Sequence, residues 1–112
     1  MTKEQLRQYR SIKTEISQIK HRIVELETFG HDYDRELLQP LYDVYQGKLE
    51  ELIIGQLQIE RAIESLNPTE RTLMRMRYID GAEWLDICET IHYEWTQTHR
   101  IHARALAKTK NL

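Results

Sequence analysis

Residues 94–112 carry Arg100, Arg104, Lys108 and Lys110 against Glu94 alone. That is a local charge of +3 in a chain of formal charge −2, so the remainder sums to −5. Trp95, Thr96 and His99 are interleaved with these cations. At helical spacing, Trp95, Thr96, His99, Arg100, Ala103 and Arg104 share one face, while Thr98, Ile101, His102 and Ala105 share the other. The outer set has the side-chain types a nucleic-acid groove selects. Arg100 can bond a guanine edge through two N–H groups, His99 and Thr96 can reach base edges or phosphate, and Trp95 can pack on sugar or a thymine methyl. Arg104 and Lys108 lie further along and suit phosphate. Local charge, not the total, governs such contact. A solvated basic stripe accounts for any one of these residues equally well, so the expectation rests on what surrounds them.

Two upstream elements would position that face. Leu66-Asn67-Pro68-Thr69-Glu70-Arg71 opens a helix. Asn67 is a favoured N-cap, Pro68 suits the first helical position, and Glu70 can reach back to the cap. This helix is expected over Pro68 to Ile79, with Leu73, Met76 and Ile79 buried, Arg71, Arg75 and Arg77 projecting elsewhere, and Gly81 as a left-handed stop. A short helix from Glu83 to Ile91 follows, with Trp84, Ile87, Cys88 and Ile91 on its buried face. His92-Tyr93 forms the turn, where His tolerates a left-handed backbone better than most residues. The last helix is expected over Glu94 to Thr109, with residues 95–109 reading the major groove. Two short helices of which only the second is basic is the arrangement of a helix-turn-helix.

Other chemistries find less support. Cys88, His92, His99 and His102 are close in sequence, but Cys88 and His102 are expected inside and His99 outside. No paired-Cys or His-Glu-x-x-His pattern accompanies them, so no metal is expected. A glycine-rich phosphate loop, a Gly-x-Ser-x-Gly elbow and a carboxylate pair in a cleft are all missing, so neither an enzyme nor a cofactor is expected. Met74 and Met76 read as packing residues.

The first 66 residues have a different character. Tyr9, Ile12, Ile16, Ile19, Ile23 and Leu26 form a heptad stripe. A second stripe runs through Tyr42, Tyr45, Leu49, Leu52, Ile59, Ile63 and Leu66, with Gln56 its polar member. Gly30, His31 and Asp32 mark the turn between them. Pro40 falls in the first turn of the second helix, or inside it if the helix starts nearer Asp34. An antiparallel hairpin would set the basic start of helix one, with Lys3, Arg7 and Arg10, beside the acidic end of helix two, with Glu60 and Glu64. Leu37, Leu38, Leu41, Val44, Ile53, Ile54 and Leu57 widen the second face beyond what one helix covers. A homodimer through residues 1–66, as a four-helix bundle, is therefore expected.

The 112 residues, with 40% hydrophobic, 30% charged, four Gly and two Pro, suit an all-α protein. The expected division is an antiparallel two-helix coiled-coil arm over 1–66 and a three-helix helix-turn-helix module over 67–112. One cysteine excludes an intrachain disulfide. Neither a signal-peptide core nor an apolar run longer than Leu52-Ile53-Ile54 is present. A cytoplasmic protein without membrane contact is the expectation.

The segment from Leu66 to Lys108 resembles region 4 of the sigma-70 family, which reads the −35 promoter element. The resemblance is carried by Leu66-Asn67-Pro68-Thr69-Glu70-Arg71, Arg77-Tyr78-Ile79-Asp80-Gly81, Trp84-Leu85-Asp86-Ile87-Cys88 and Ile101-His102-Ala103-Arg104-Ala105-Leu106. With its helical arm, the whole chain is similar to small phage-encoded transcriptional regulators of the RinA/ArpU type. The resemblance implies control of late phage genes and base reading by Trp95, Thr96, His99 and Arg100. Glu94 stands where that family usually has Ser or Thr, and Thr98 where a β-branched apolar residue is usual. Double-stranded DNA is the expected partner, with RNA polymerase left open as another. The competing reading is a phage assembly factor or small terminase-like packaging subunit whose helical bundle is the working surface.

Overall fold

A computed structural model describes residues 1–29 and 35–111; the turn expected at Gly30, His31 and Asp32 lies outside them. The described residues form six α-helices: α1 Lys3–Arg7, α2 Tyr9–Phe29, α3 Arg35–Glu64, α4 Pro68–Met74, α5 Trp84–Ile91 and α6 Trp95–Thr109. A π-helical segment, Arg75–Asp80, extends α4. The fold is all-α, as the composition implies. Among the described residues, no helix is long and apolar enough to cross a membrane.

The chain divides into two compact units: Met1–Arg10 with Leu57–Leu112, and Ser11–Gln56. The cuts fall at 10/11 and 56/57 and not at 66/67, because both ends of the expected arm belong with the C-terminal module. Leu6, Tyr9, Ile59, Ala62, Ile63 and Leu66 are all buried there.

The Ser11–Gln56 unit is a pair of antiparallel helical segments. Ile12 lies beside Gly55, and the Arg22 guanidinium sits 6.0 Å from the centre of the Tyr45 ring, so the two segments run in opposite directions. The two heptad stripes supply the packed faces, with Ile16, Ile23 and Leu52 buried. Pro40 falls inside α3, which begins at Arg35. Its ring nitrogen cannot donate to the carbonyl one turn back. Val24, Phe29, Leu37, Leu41, Val44 and Ile54 remain exposed.

The other unit starts with a capping box not anticipated above. The Gln5 amide donates to Thr2 Oγ1 at 3.2 Å, and the Thr2 amide donates to Gln5 Oε1 at 2.7 Å. Tyr9 donates its hydroxyl to Glu60 Oε1 at 2.6 Å. The acidic end of α3 makes its ion pairs elsewhere than the charge pattern suggests. Arg75 binds Glu60 at 3.3 Å and Glu64 at 2.6 Å, and Arg71 binds Glu64 at 3.2 Å. These guanidiniums reach α3 because only a short turn separates it from α4.

Asn67 caps α4 as the sequence indicates, its Oδ1 accepting from the Glu70 amide at 2.9 Å while Glu70 Oε1 accepts from the Asn67 amide at 3.3 Å. The helix does not continue in α form to Ile79. Leu73 and Met74 are buried at the end of α4; the wider π turn from Arg75 rotates the face that follows, so Tyr78 is buried while Met76 and Ile79 are only partly so. Gly81 stops the element at φ +72°, and the Met76 carbonyl accepts from both Gly81 and Ala82 amides. A side chain at Gly81 would combine left-handed strain with collision against the Arg10 guanidinium.

Candidate nucleic-acid interface

Helices α4, α5 and α6 pack on one another around Leu73, Met74, Ile87, Thr98, Ile101 and Ala105, all buried. Between α5 and α6 the chain turns through His92, which adopts the left-handed conformation at φ 60° with its amide bonded to the Cys88 carbonyl. The turn therefore has the backbone glycine usually supplies, carried by a residue that tolerates it. Thr98 explains its own polarity: fully buried, it donates its hydroxyl to the Tyr93 carbonyl at 3.3 Å. A residue shaped like valine thus also ties the turn to the helix. Glu94 occupies the N-cap position of α6 without a side-chain cap bond, leaving its carboxylate's charge as its contribution there.

Facing away from the core, α6 exposes Trp95, Thr96, Arg100, Ala103 and Arg104. Trp95 is 51% exposed, its ring tilted against His99 at 4.6 Å between ring centres. His99 itself departs from the outward position expected of it. Its ring also packs on Trp84 at 4.4 Å, and its Nε2 is buried without a hydrogen-bond partner among the described residues. The angle explains this: His99 lies at the edge of the exposed face, where the bulky Trp84 of α5 closes over it. It positions Trp95 and does not present both ring nitrogens to a groove.

Lys108 also departs from expectation. Its Nζ donates to Glu70 Oε1 at 2.7 Å, tying the last turn of α6 to the first turn of α4. Glu70 is thus shared between a helix cap and an ion pair. The Lys108 side chain is still 53% exposed, so this tie to Glu70 stands beside the phosphate role expected of it.

His102 lies on the inner face, sharing a 2.7 Å hydrogen bond with the Tyr78 hydroxyl and meeting Trp84 edge-on at 4.8 Å. Burial lowers its imidazole pKa to about 4, with Lys3, His99, Arg77 and Arg7 adding to the depression. Burial raises the Tyr78 phenol, opposed by Arg7 and Arg77. Both are neutral at pH 7.

Among the described residues, no three His, Cys, Asp or Glu side chains converge as a metal site. Cys88 is a free, half-buried thiol. Sequence reasoning missed the position of Arg77. Its Nη1 donates to the Ala82 carbonyl at 3.1 Å and its guanidinium lies 4.8 Å over Trp84. Helical spacing placed Arg77 away from the core, but the π turn that sets its direction leaves no clear trace in residue types.

Comparison with protein-family models, characterised proteins and solved structures returns no match for this chain.

Proposed function

We propose that this chain is a sequence-specific DNA-binding transcriptional regulator, phage or prophage encoded and acting in the cytoplasm without catalysis or cofactor. One observation carries the reading. A packed three-helix platform buries Thr98, Ile101, His102, Ala105 and Thr109 of α6 and leaves Trp95, Thr96, Arg100 and Arg104 of the same helix exposed. Such a helix, supported from behind and cationic in front, fits a major groove about 12 Å wide. The sigma-70 region 4-like motifs add the expectation of promoter DNA. With only a region-4-like module, an activator or accessory role is the better fit, and RNA polymerase contact belongs to that role.

A homodimer is the second part of the proposal. Leu37, Leu41 and Val44 are exposed at spacings of four and three on α3, so they share a helix face in the Ser11–Gln56 unit. Exposed large apolar residues at that spacing suit a symmetric contact with a second copy. The same residues favour the alternative of a phage assembly or packaging subunit. Stoichiometry separates the two: a dimer supports regulation, whereas a ring of eight or more subunits supports packaging.

Selection of duplexes from a random pool tests the function directly. The expected result is a short enriched motif, doubled into symmetric half-sites about 34–36 Å or a multiple apart if the dimer binds. A pool that leaves the selection with no enrichment would refute the reading.

A further inference from the structure

Lys3 and Arg7 of α1, with Arg10 at the start of α2, line one side of a cleft of about 390 Å³ within the Met1–Arg10 and Leu57–Leu112 unit. Arg77 adds a fourth cation; no carboxylate is among the lining residues, and Glu4 is the acidic group whose charge reaches the Tyr78 wall. Lys3 and Arg7 thus line a cavity in place of the acidic end of α3.

The cleft has features of a built site. Arg77 is held in place by the Ala82 carbonyl and the Trp84 ring, so its guanidinium is already oriented. Gly81 admits the Arg10 guanidinium against bare backbone, where any side chain would collide with it. Tyr78 and His102 complete the wall with their shared hydrogen bond. Lys3, Arg7 and Arg77 put like charges around one cavity, offset only in part by Glu4, and an anion would relieve their repulsion. Guanidinium and ammonium groups converging without a carboxylate suit phosphoryl oxygens above other anions.

Position favours one source of phosphate. The Trp84 wall packs against His99 with tilted rings, and His99 packs in the same way against Trp95 in the first exposed turn of α6. Two ring contacts therefore link the cleft to the face proposed to enter a groove. We propose that this cleft is a phosphoryl-binding site whose occupant is a backbone phosphate of the duplex that α6 enters. The choice of source rests on the DNA-binding reading, while the anion chemistry does not.

The test measures affinity for a random-sequence duplex across a salt series, using the full chain and its Lys3→Gln, Arg7→Gln and Arg61→Gln variants. Arg61 is exposed on α3 and does not line the cleft, so its variant controls for net charge. Losing one phosphate contact should flatten the log–log salt slope by about 0.9. Arg7→Gln and Lys3→Gln should each do so and weaken binding about tenfold at low salt, the size of one charged hydrogen bond. Arg61→Gln should do neither. Slopes for Arg7→Gln and Lys3→Gln matching that of Arg61→Gln, with duplex affinity intact, would overturn the cleft while sparing the DNA reading.

A second measurement adds inorganic phosphate and follows the Gly81 amide and Trp84 indole resonances. Both should move in the native chain and stay still in Arg7→Gln, with far-ultraviolet dichroism confirming that the variant is folded. Should the native chain bind no duplex, the DNA reading fails. Phosphate-dependent shifts at Gly81 and Trp84 would then assign the cleft to free phosphate and overturn the backbone source. No shift would overturn the site altogether.

Discussion

The Lys108–Glu70 pair can be separated from DNA binding by a double-mutant cycle. Its Glu70 side chain is 4% exposed and its Lys108 side chain 53%, so the pair sits between surface and interior. Exposed pairs couple by about 0.2–1 kcal/mol. Breaking a fully buried pair costs about 3–5 kcal/mol. The half-open geometry puts the coupling near 1–2 kcal/mol between these limits. Lys108→Ala leaves the Glu70 carboxylate enclosed, with the Asn67 amide as its hydrogen-bond donor among the described residues. Glu70→Ala instead frees Lys108 to water and removes half of the capping box, adding about 0.5–1 kcal/mol. Urea unfolding of the native chain, both single variants and the double variant gives the coupling directly. A coupling below about 0.3 kcal/mol, within ordinary additivity, would refute the tie between α6 and α4. The salt slope of duplex binding for the same Lys108→Ala variant tests the phosphate role separately. A slope flattened by about 0.9 supports that role beside the tie, and an unchanged slope would refute it.

Three further outcomes follow from the geometry. Because His102 has a folded pKa of about 4 against 6.5 unfolded, the unfolded chain takes up the proton first as pH falls. Its contribution is complete above pH 6.5 and declines toward pH 4, by about 3 kcal/mol in all. His102→Gln should flatten stability against pH across that window, and a profile of unchanged steepness would contradict the assignment. Gly81→Ala should destabilise by about 1–2 kcal/mol, the cost of a left-handed non-glycine residue, measured by thermal unfolding. A neutral result there would mean that the stop at φ +72° relaxes freely. Arg100→Ala should cost about 1–3 kcal/mol on the selected site and relax preference at one base pair. Equal loss on selected and random duplexes would show that Arg100 touches only phosphate.

Local chemistry was the legible part of the fold. Asn67, Pro68 and Glu70 state a helix start whatever surrounds them, and the bonds they form are the ones their types allow. Among the described residues, Gly81 and His92 likewise take left-handed backbone where turns were expected. The Thr2 and Gln5 box was equally readable, since Thr-x-x-Gln is the same signal. The π turn was not, because a one-residue change in hydrogen-bond spacing has no dedicated residue type. It turned Tyr78 into the core and left Met76 and Ile79 only partly buried.

The candidate interface was legible where exposure follows helical periodicity, as for Thr96, Arg100 and Arg104. It was illegible where a neighbour decides. Trp84 closing over His99, and Glu70 capturing Lys108, depend on pairs separated by 15 and 38 positions. Charge pattern misled for the same reason. Glu60 and Glu64 could pair with the basic start of the chain or with Arg71 and Arg75, and chain proximity selected the latter.

The most direct measurement is a nuclear magnetic resonance titration of the full chain with a short duplex at low ionic strength. Amide shifts are predicted to concentrate at Trp95, Thr96, Arg100, Ala103 and Arg104, with the Ile87 and Ala105 core unmoved. A spectrum that stays fixed, or shifts confined to residues 11–56, would contradict the proposal that the exposed face of α6 enters DNA.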